Sequence, residues 1–202
     1  MDARQYAPAT QRNREPIFRV LSQVLSPNSK VLEIASGTGE HAVYLASKLP
    51  SCRWTPSDAN PLACDSIVAW KNASSIDNLN LPLVIDVTQT DWQQQARDKG
   101  INTIVNINMI HISPWQACLG LMQGAEQILS SGGILYLYGP YKRNGEHTAS
   151  SNANFDRSLR DRNPLWGVRD LEAVVETAAM HDFKLQQVIE MPANNLSVIF
   201  NR

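Results

Sequence analysis

The sequence predicts an α/β fold: one doubly wound domain with a seven-stranded, mostly parallel sheet, an antiparallel hairpin strand at its C-terminal end and helices on both faces. Three observations predict it. Short apolar runs alternate with segments whose apolar residues recur every three or four positions, the pattern of strand–helix repeats. The run Val31-Leu32-Glu33-Ile34-Ala35-Ser36-Gly37-Thr38-Gly39-Glu40-His41 reads as strand, glycine turn and helix. The chain closes on two strand-like runs, Leu185 to Glu190 and Ser197 to Phe200, whose short connection dictates antiparallel pairing.

In chain order, residues 1–15 read as a polar N-terminal arm. Pro16 suits the first turn of a helix, and Ile17, Val20, Leu21, Val24 and Leu25 supply its apolar face. Lys30 to Ile34 is the first strand, and a helix follows from Gly39 to Lys48. Arg53 to Asp58 is a strand ending in an acid, and Pro61 to Ser74 is a helix. Leu81 to Ile85 is a third strand, and Trp92 to Lys99 a short helix. Thr103 to Met109, Trp115 to Leu129 and Ile134 to Tyr138 continue as strand, helix and strand. The last has almost no polar position, as suits a strand covered on both faces. Residues 140–166 are polar and read as a long loop, which in a compact domain is a functional segment or a disordered one. A helix from Leu171 to His181 precedes the closing hairpin.

Composition narrows the function. The chain has 202 residues, enough for one domain with a sizeable core. It is 43% hydrophobic and 18% charged with a net charge of -1, which excludes a disordered chain and a strongly electrostatic nucleic-acid binder. Cys52, Cys64 and Cys118 are odd in number and lack a CxxC spacing, so free thiols are expected rather than a disulfide framework or a metal site. No run approaches the ~20 apolar residues of a membrane span. The polar stretch Met1 to Gln11 lacks the apolar core of a signal peptide, so a cytoplasmic protein is expected.

In a doubly wound sheet, ligands bind outside the carboxyl ends of the strands, where strand order reverses. Four strand ends therefore converge. Gly37 and Gly39 let backbone approach a ligand closely. Glu33 adds an acceptor that a phosphate cradle would not want. The loop lacks the third glycine of the dinucleotide fingerprint, and taken alone fits a nicotinamide site as well as any other nucleoside site. Asp58 lies about 20 residues beyond the glycines, where an acid accepts from ribose hydroxyls; the alternative is a helix cap before Pro61. Asp86, with Val87 beside it, suits an adenine amino group and ring, or else is a solvated loop carboxylate. Asn106, Asn108 and His111 end the fourth strand where a reacting group would lie. A lone histidine beside an apolar strand is more often structural than a base.

These residues give the chain its resemblance to the class I S-adenosylmethionine (SAM)-dependent methyltransferases, whose sheet is Rossmann-like. Within that superfamily it resembles the methyltransferase-like protein 26 group. The resemblance is carried by Arg12 to Ile17, Val31 to His41, Pro56-Ser57-Asp58, Asp86-Val87-Thr88 and Ile107 to Pro114. Tyr138 to Tyr141, Asn144-Gly145, Ser151-Asn152, Phe155-Asp156, Arg162 to Asp170 and Met191 to Asn195 complete it. It implies one methyltransferase domain over residues 1–202, with S-adenosyl-L-methionine as cofactor and S-adenosyl-L-homocysteine as product; it implies no known acceptor, and a small molecule is the expectation. It implies SAM binding by Glu33, Gly37, Gly39, Asp58 and Asp86, and the reading of the residues adds Arg12, Ala35, Val87 and Asn106 to the expected donor pocket. Ala35 stands where many relatives carry glycine. Residues 140–170 are expected to form an acceptor lid, with Asn144, Arg162 and Asn194 as substrate contacts. Asn108, His111, Tyr141 and Asp156 are the catalytic candidates. The alternatives are a SAM-binding protein without catalysis and an NAD-linked oxidoreductase; the closing hairpin and the missing third glycine count against the latter.

Overall fold

The computed structural model describes residues 2–202; Met1, the first residue of the expected arm, lies outside the described residues. The elements are α1 (Pro8–Val24), β1 (Lys30–Ile34), α2 (Glu40–Lys48), β2 (Arg53–Asp58), α3 (Pro61–Asn72), β3 (Leu83–Val84) and β4 (Thr103–Ile107). They continue as α4 (Trp115–Ile128), β5 (Ile134–Gly139), β6 (Tyr141–Arg143), β7 (Glu146–His147) and α5 (Ser150–Arg162). The last are β8 (Arg169–Asp170), α6 (Leu171–Ala179), β9 (Lys184–Met191) and β10 (Asn195–Asn201).

Seven strands form one sheet in the order β3-β2-β1-β4-β5-β10-β9. The first five run parallel, while β10 pairs antiparallel with both β5 and β9. Strand order reverses between β1 and β4, with Ile34 opposite Asn106 at their carboxyl ends. Alternation along each strand feeds two cores. Leu32, Ile104, Leu135 and Phe200 pack with Cys118, Leu121 and Met122 of α4 and Val174 and Ala178 of α6. Val31, Val105, Tyr136 and Ile199 face the other way and pack with Ile17 and Leu21 of α1 and Leu45 of α2. The expected fold class therefore stands: a mixed seven-stranded sheet with helices on both faces.

Four local expectations are corrected. First, the arm is not extended up to residue 15. Helix α1 begins at Pro8 and runs through Pro16, because its upstream turns bury Thr10 and Asn13, and a proline removes only one helical donor. Second, Leu81 to Ile85 contracts to the two-residue edge strand β3, where Val84 is exposed. Third, Trp92 to Lys99 forms two 3-10 turns, Trp92–Gln95 and Arg97–Lys99.

The largest difference is the expected loop at 140–166, which contains α5 and most of a second, three-stranded sheet in the order β7-β6-β8. The buried positions of α5 are Asn152, Asp156 and Leu159, a helical spacing carried mostly by polar residues. Polar groups are buried there because they are bonded. Asn152 Nδ2 donates to Asn194 O at 2.9 Å, and Asp156 accepts from Val168 N at 2.7 Å.

Candidate functional site

The turn after β1 is shaped by three left-handed residues, Ala35 (φ 58°), Gly37 (φ 56°) and Gly39 (φ 88°). A Cβ on Gly39 would lie 2.9 Å from Ile67 Cγ1, so the absent side chain lets α2 start against α3. Gly37 N–H donates to Asp58 Oδ2 at 2.8 Å, and Asn60 N–H donates to Asp58 Oδ1 at 2.9 Å. The turn and the end of β2 are thus joined through one carboxylate. The helix cap considered for Asp58 is instead Asn60, whose Oδ1 accepts from Leu62 N at 3.0 Å. Each Asp58 oxygen keeps a second lone pair for a ligand hydroxyl.

Beside Asp58 lies a hollow of about 320 Å³. Ala35, Ala59, Asp86, Val87, Met109, Ser113, Pro114 and Ala117 are among the residues that line it. The Asp86 carboxylate accepts from Thr88 N at 2.9 Å and Thr88 Oγ1 at 2.7 Å. Burial pushes this carboxyl up, but the Thr88 hydrogen bonds outweigh burial and hold it below its ordinary range. The hollow is therefore a mostly apolar slot whose lining includes two acids, Asp58 and Asp86, a set of acceptors that fits an adenosine.

A second hollow, of about 750 Å³, opens between α1, α5 and the turn at 192–195. Arg12, Asn13, Asn108, His111, Tyr138, Asn152, Phe155, Arg162, Asn194 and Asn195 are on its wall. Asn108 sits at the end of β4 in a left-handed conformation (φ 61°), its N–H donating to Tyr138 O at 2.9 Å. His111 is 3% exposed, and Nδ1 of its ring is buried without a hydrogen-bond partner among the described residues. Burial, with help from the Arg169 guanidinium, lowers its pKa to about 4, so the imidazole is neutral at pH 7. The Phe155 ring meets it edge-on at 5.7 Å, and a Cβ on Gly139 would come within 3.1 Å of it. The segment from Asn108 to Pro114 borders both hollows, with Asn108, His111 and Ile112 on the larger and Met109, Ser113 and Pro114 on the smaller.

Several expected site residues lie elsewhere. Glu33 lines neither hollow; it is 1% exposed and accepts from Trp54 Nε1 at 2.6 Å. Burial raises its pKa to about 7, against the opposing pull of that hydrogen bond. Asn106 also lines neither and instead donates Nδ2 to Ile34 O at 3.0 Å, tying β4 to the end of β1. Tyr141 is a core residue, 1% exposed, and its hydroxyl has no hydrogen-bond partner among the described residues. Asp156 points into its own cluster, with Arg160 at 3.2 Å, His147 at 3.3 Å and Lys142 at 3.6 Å. Asn144 is in the left-handed turn between β6 and β7, its N–H donating to Glu172 Oε2 at 3.1 Å. Of the four catalytic candidates, only Asn108 and His111 reach the larger hollow. Arg12 edges that hollow too, rather than the smaller one. Ser113 lies in the segment Ile107 to Pro114 but carries no expected site role, and Ala117 gave no motif. Pro114, directly before an apolar-periodic helix, is a helix-start signal that could have placed part of the slot's wall.

Solved structures show how widely the fold is shared. An O-methyltransferase family protein from Burkholderia thailandensis superposes with a TM-score of 0.80 at 13% identity, over 96% of this chain and 57% of its own. Human N-acetylserotonin methyltransferase, solved in complex with SAM, gives 0.76 at 13% identity, over 96% and 52%. An O-methyltransferase family 2 protein from Planctomyces limnophilus, solved with apigenin, gives 0.73 at 17% identity, over 94% and 61%. At these identities the likeness is one of fold, and the chain spans little more than half the length of those proteins. The family profile described as "Protein of unknown function (DUF938)" matches residues 4–202, and the chain belongs to that family.

Proposed function

We propose that this protein is a SAM-dependent methyltransferase acting on a small molecule, and a relative of the methyltransferase-like protein 26 group. One observation carries the reading: an adenosine-sized slot lined by two carboxylates and a larger hollow are both bordered by one strand-end segment, from Asn108 to Pro114. Asp58 would accept from the ribose hydroxyls, and Asp86 from the adenine amino group with Val87 against the ring. Ala35, Gly37 and Gly39 would run beside the methionine portion, and Arg12 would meet its carboxylate. Glu33 and Asn106 would act at one remove, by fixing the end of β1. When bound, SAM supplies a methyl group already activated by its sulfonium. The protein's own work is then to align the acceptor and exclude water. Asn108 would orient the acceptor, and neutral His111 would take a proton from an attacking O–H or N–H. Residues 140–170 would wall the acceptor side, with α5 held in place by the Asp156 cluster. The free, buried cysteines Cys52, Cys64 and Cys118 fit the reducing cytoplasm.

Isothermal titration with S-adenosylhomocysteine tests the donor site. The native chain should bind with micromolar affinity, and Asp58→Ala should weaken binding by about tenfold or more. Asp58→Asn, which keeps an acceptor for Gly37 N–H, separates ligand contact from loop collapse. No heat with the native chain, or equal affinity in native and Asp58→Ala protein, overturns the reading. Transfer of labelled methyl from SAM into a small-molecule extract distinguishes an enzyme from a protein that only binds SAM.

A further inference from the structure

We infer that the acceptor is an organic carboxylic acid, held by Arg162 through its carboxylate and by the aromatic and aliphatic wall through its body. The inference rests on the methyltransferase reading and names what the larger hollow takes.

None of the residues lining that hollow is Asp or Glu, while Arg12 and Arg162 both edge it. Neither arginine has a carboxylate within 4.0 Å among the described residues, unlike Arg4, Arg19 and Arg160, which are paired with Asp2, Glu15 and Asp156. His111 is neutral and so adds no charge of either sign. The wall thus presents positive charge with nothing to neutralise it, in a concavity where such a field attracts an anion.

The two cations are not equivalent. Arg12 also borders a recess beside Glu40, at the start of α2, on the side of the glycine turn. That position suits the methionine carboxylate of the donor. Arg12 belongs to α1, whereas Arg162 belongs to the last turn of α5. Its Nε donates to Ser158 O at 3.2 Å, and its guanidinium lies 5.7 Å from the Trp166 ring centroid. Those two contacts hold the head and, among the described residues, leave both terminal nitrogens without a hydrogen-bond partner, and their fork matches a carboxylate. The hollow is also too large for one small anion, since 750 Å³ is the scale of a drug-sized ligand. Ile112, Phe155, Pro140 and Pro192 give it apolar walls. Charge at one end and apolar wall elsewhere describe an acid with an aromatic or aliphatic body.

The test uses two probes of one shape, 2-naphthoate and 2-naphthamide, titrated by ligand-observed NMR into the full chain saturated with S-adenosylhomocysteine. The acid should bind about tenfold tighter than the amide. Its advantage should fall to about twofold or less in Arg162→Gln and in high salt, and should persist in Arg157→Gln, an exposed arginine on the same helix. S-adenosylhomocysteine affinity should be unchanged in Arg162→Gln. The inference is overturned if the amide binds as well as the acid, if the preference survives Arg162→Gln, or if neither probe binds at millimolar concentration. If S-adenosylhomocysteine itself does not bind, the donor reading falls. The same titration on the free chain then still decides for or against the acid.

Discussion

Ala35 holds a left-handed φ of 58° at the point where β1 turns toward the site. A Cβ in that region costs about 1–2 kcal/mol, and glycine relieves it. Glycine also loosens the unfolded chain, which returns up to about 1 kcal/mol. Ala35→Gly should therefore stabilise the fold by about 0.5–1 kcal/mol. The check is a urea midpoint that rises with an unchanged slope; a falling midpoint would show that the alanine methyl packs usefully. Asn108 is left-handed too, but an asparagine tolerates that conformation, so no comparable gain is expected there. Single residues also set what could be read without a structure. The place of Asp58 at the end of β2 was legible because spacing along one strand–helix–strand unit fixes it. The burial of Glu33 was not legible because its partner, Trp54, comes from the next strand, where Val31 stands opposite Trp54 and Glu33 opposite Pro56. Only that register tells an acid in the sheet interior from an acid at its mouth.

Elements with apolar periodicity were legible, and those stabilised by polar contacts were not. Helices α2, α4 and α6 and strands β1, β2, β4 and β5 fall within a few residues of expectation, because burial imposed period 3.6 on the helices and near-continuous short runs on strands covered on both faces. Helix α5 was read as loop because its inner face is Asn152, Asp156 and Leu159, whose partners are distant in sequence. Much of the larger hollow's wall went unread with it. Helix α4 shows how closely an element can be fitted to the site. A Cβ on Gly120 would lie 1.9 Å from Val87 O, and one on Gly124 would lie 2.2 Å from the Trp92 ring. Trp92 Nε1 in turn donates to Gly120 O at 3.0 Å. Gly120→Ala must push α4 off the backbone of Val87, on the wall of the smaller hollow. Overpacking of this kind costs about 1–3 kcal/mol, a fall of roughly 5 °C in Tm for a chain of this length. S-adenosylhomocysteine binding should weaken with it, since Ala117 and Val87 would separate. An unchanged Tm would mean that the helix shifts freely, and that the slot width is not set by this contact.

Across the whole molecule, three buried groups tie stability to pH in opposite senses. His41 and His111 both have pKa values lowered to about 4 by burial, with a nearby arginine adding to it. Their stabilising contribution is full above the unfolded value of about 6.5, and it is lost as pH falls through 4. Glu33 runs the other way. With its pKa raised to about 7, its contribution is full below 4.5 and is lost as pH rises through 7. Asp86 and Asp156 have lowered pKa values, so they lose stability only in stronger acid, outside this window. Between pH 4.5 and 6.5 the unfolded chain takes up two histidine protons while the folded chain keeps one that Glu33 would otherwise release. The net slope is one proton, about 1.4 kcal/mol per pH unit, and stability should peak near pH 6.5. Glu33→Gln removes the opposing group and still offers an oxygen to Trp54 Nε1. Its slope below pH 6.5 should therefore approach two protons, and it should hold a plateau at pH 8 where the native protein has declined. The variant should match the native protein at pH 4.5 and exceed it at pH 8 by of order 1–3 kcal/mol. Urea midpoints at pH 4.5, 6.5 and 8 measure this directly. Parallel pH profiles for the two proteins would mean that Glu33 carries no proton in the folded state, and that its carboxylate is ionised against Trp54 despite its burial.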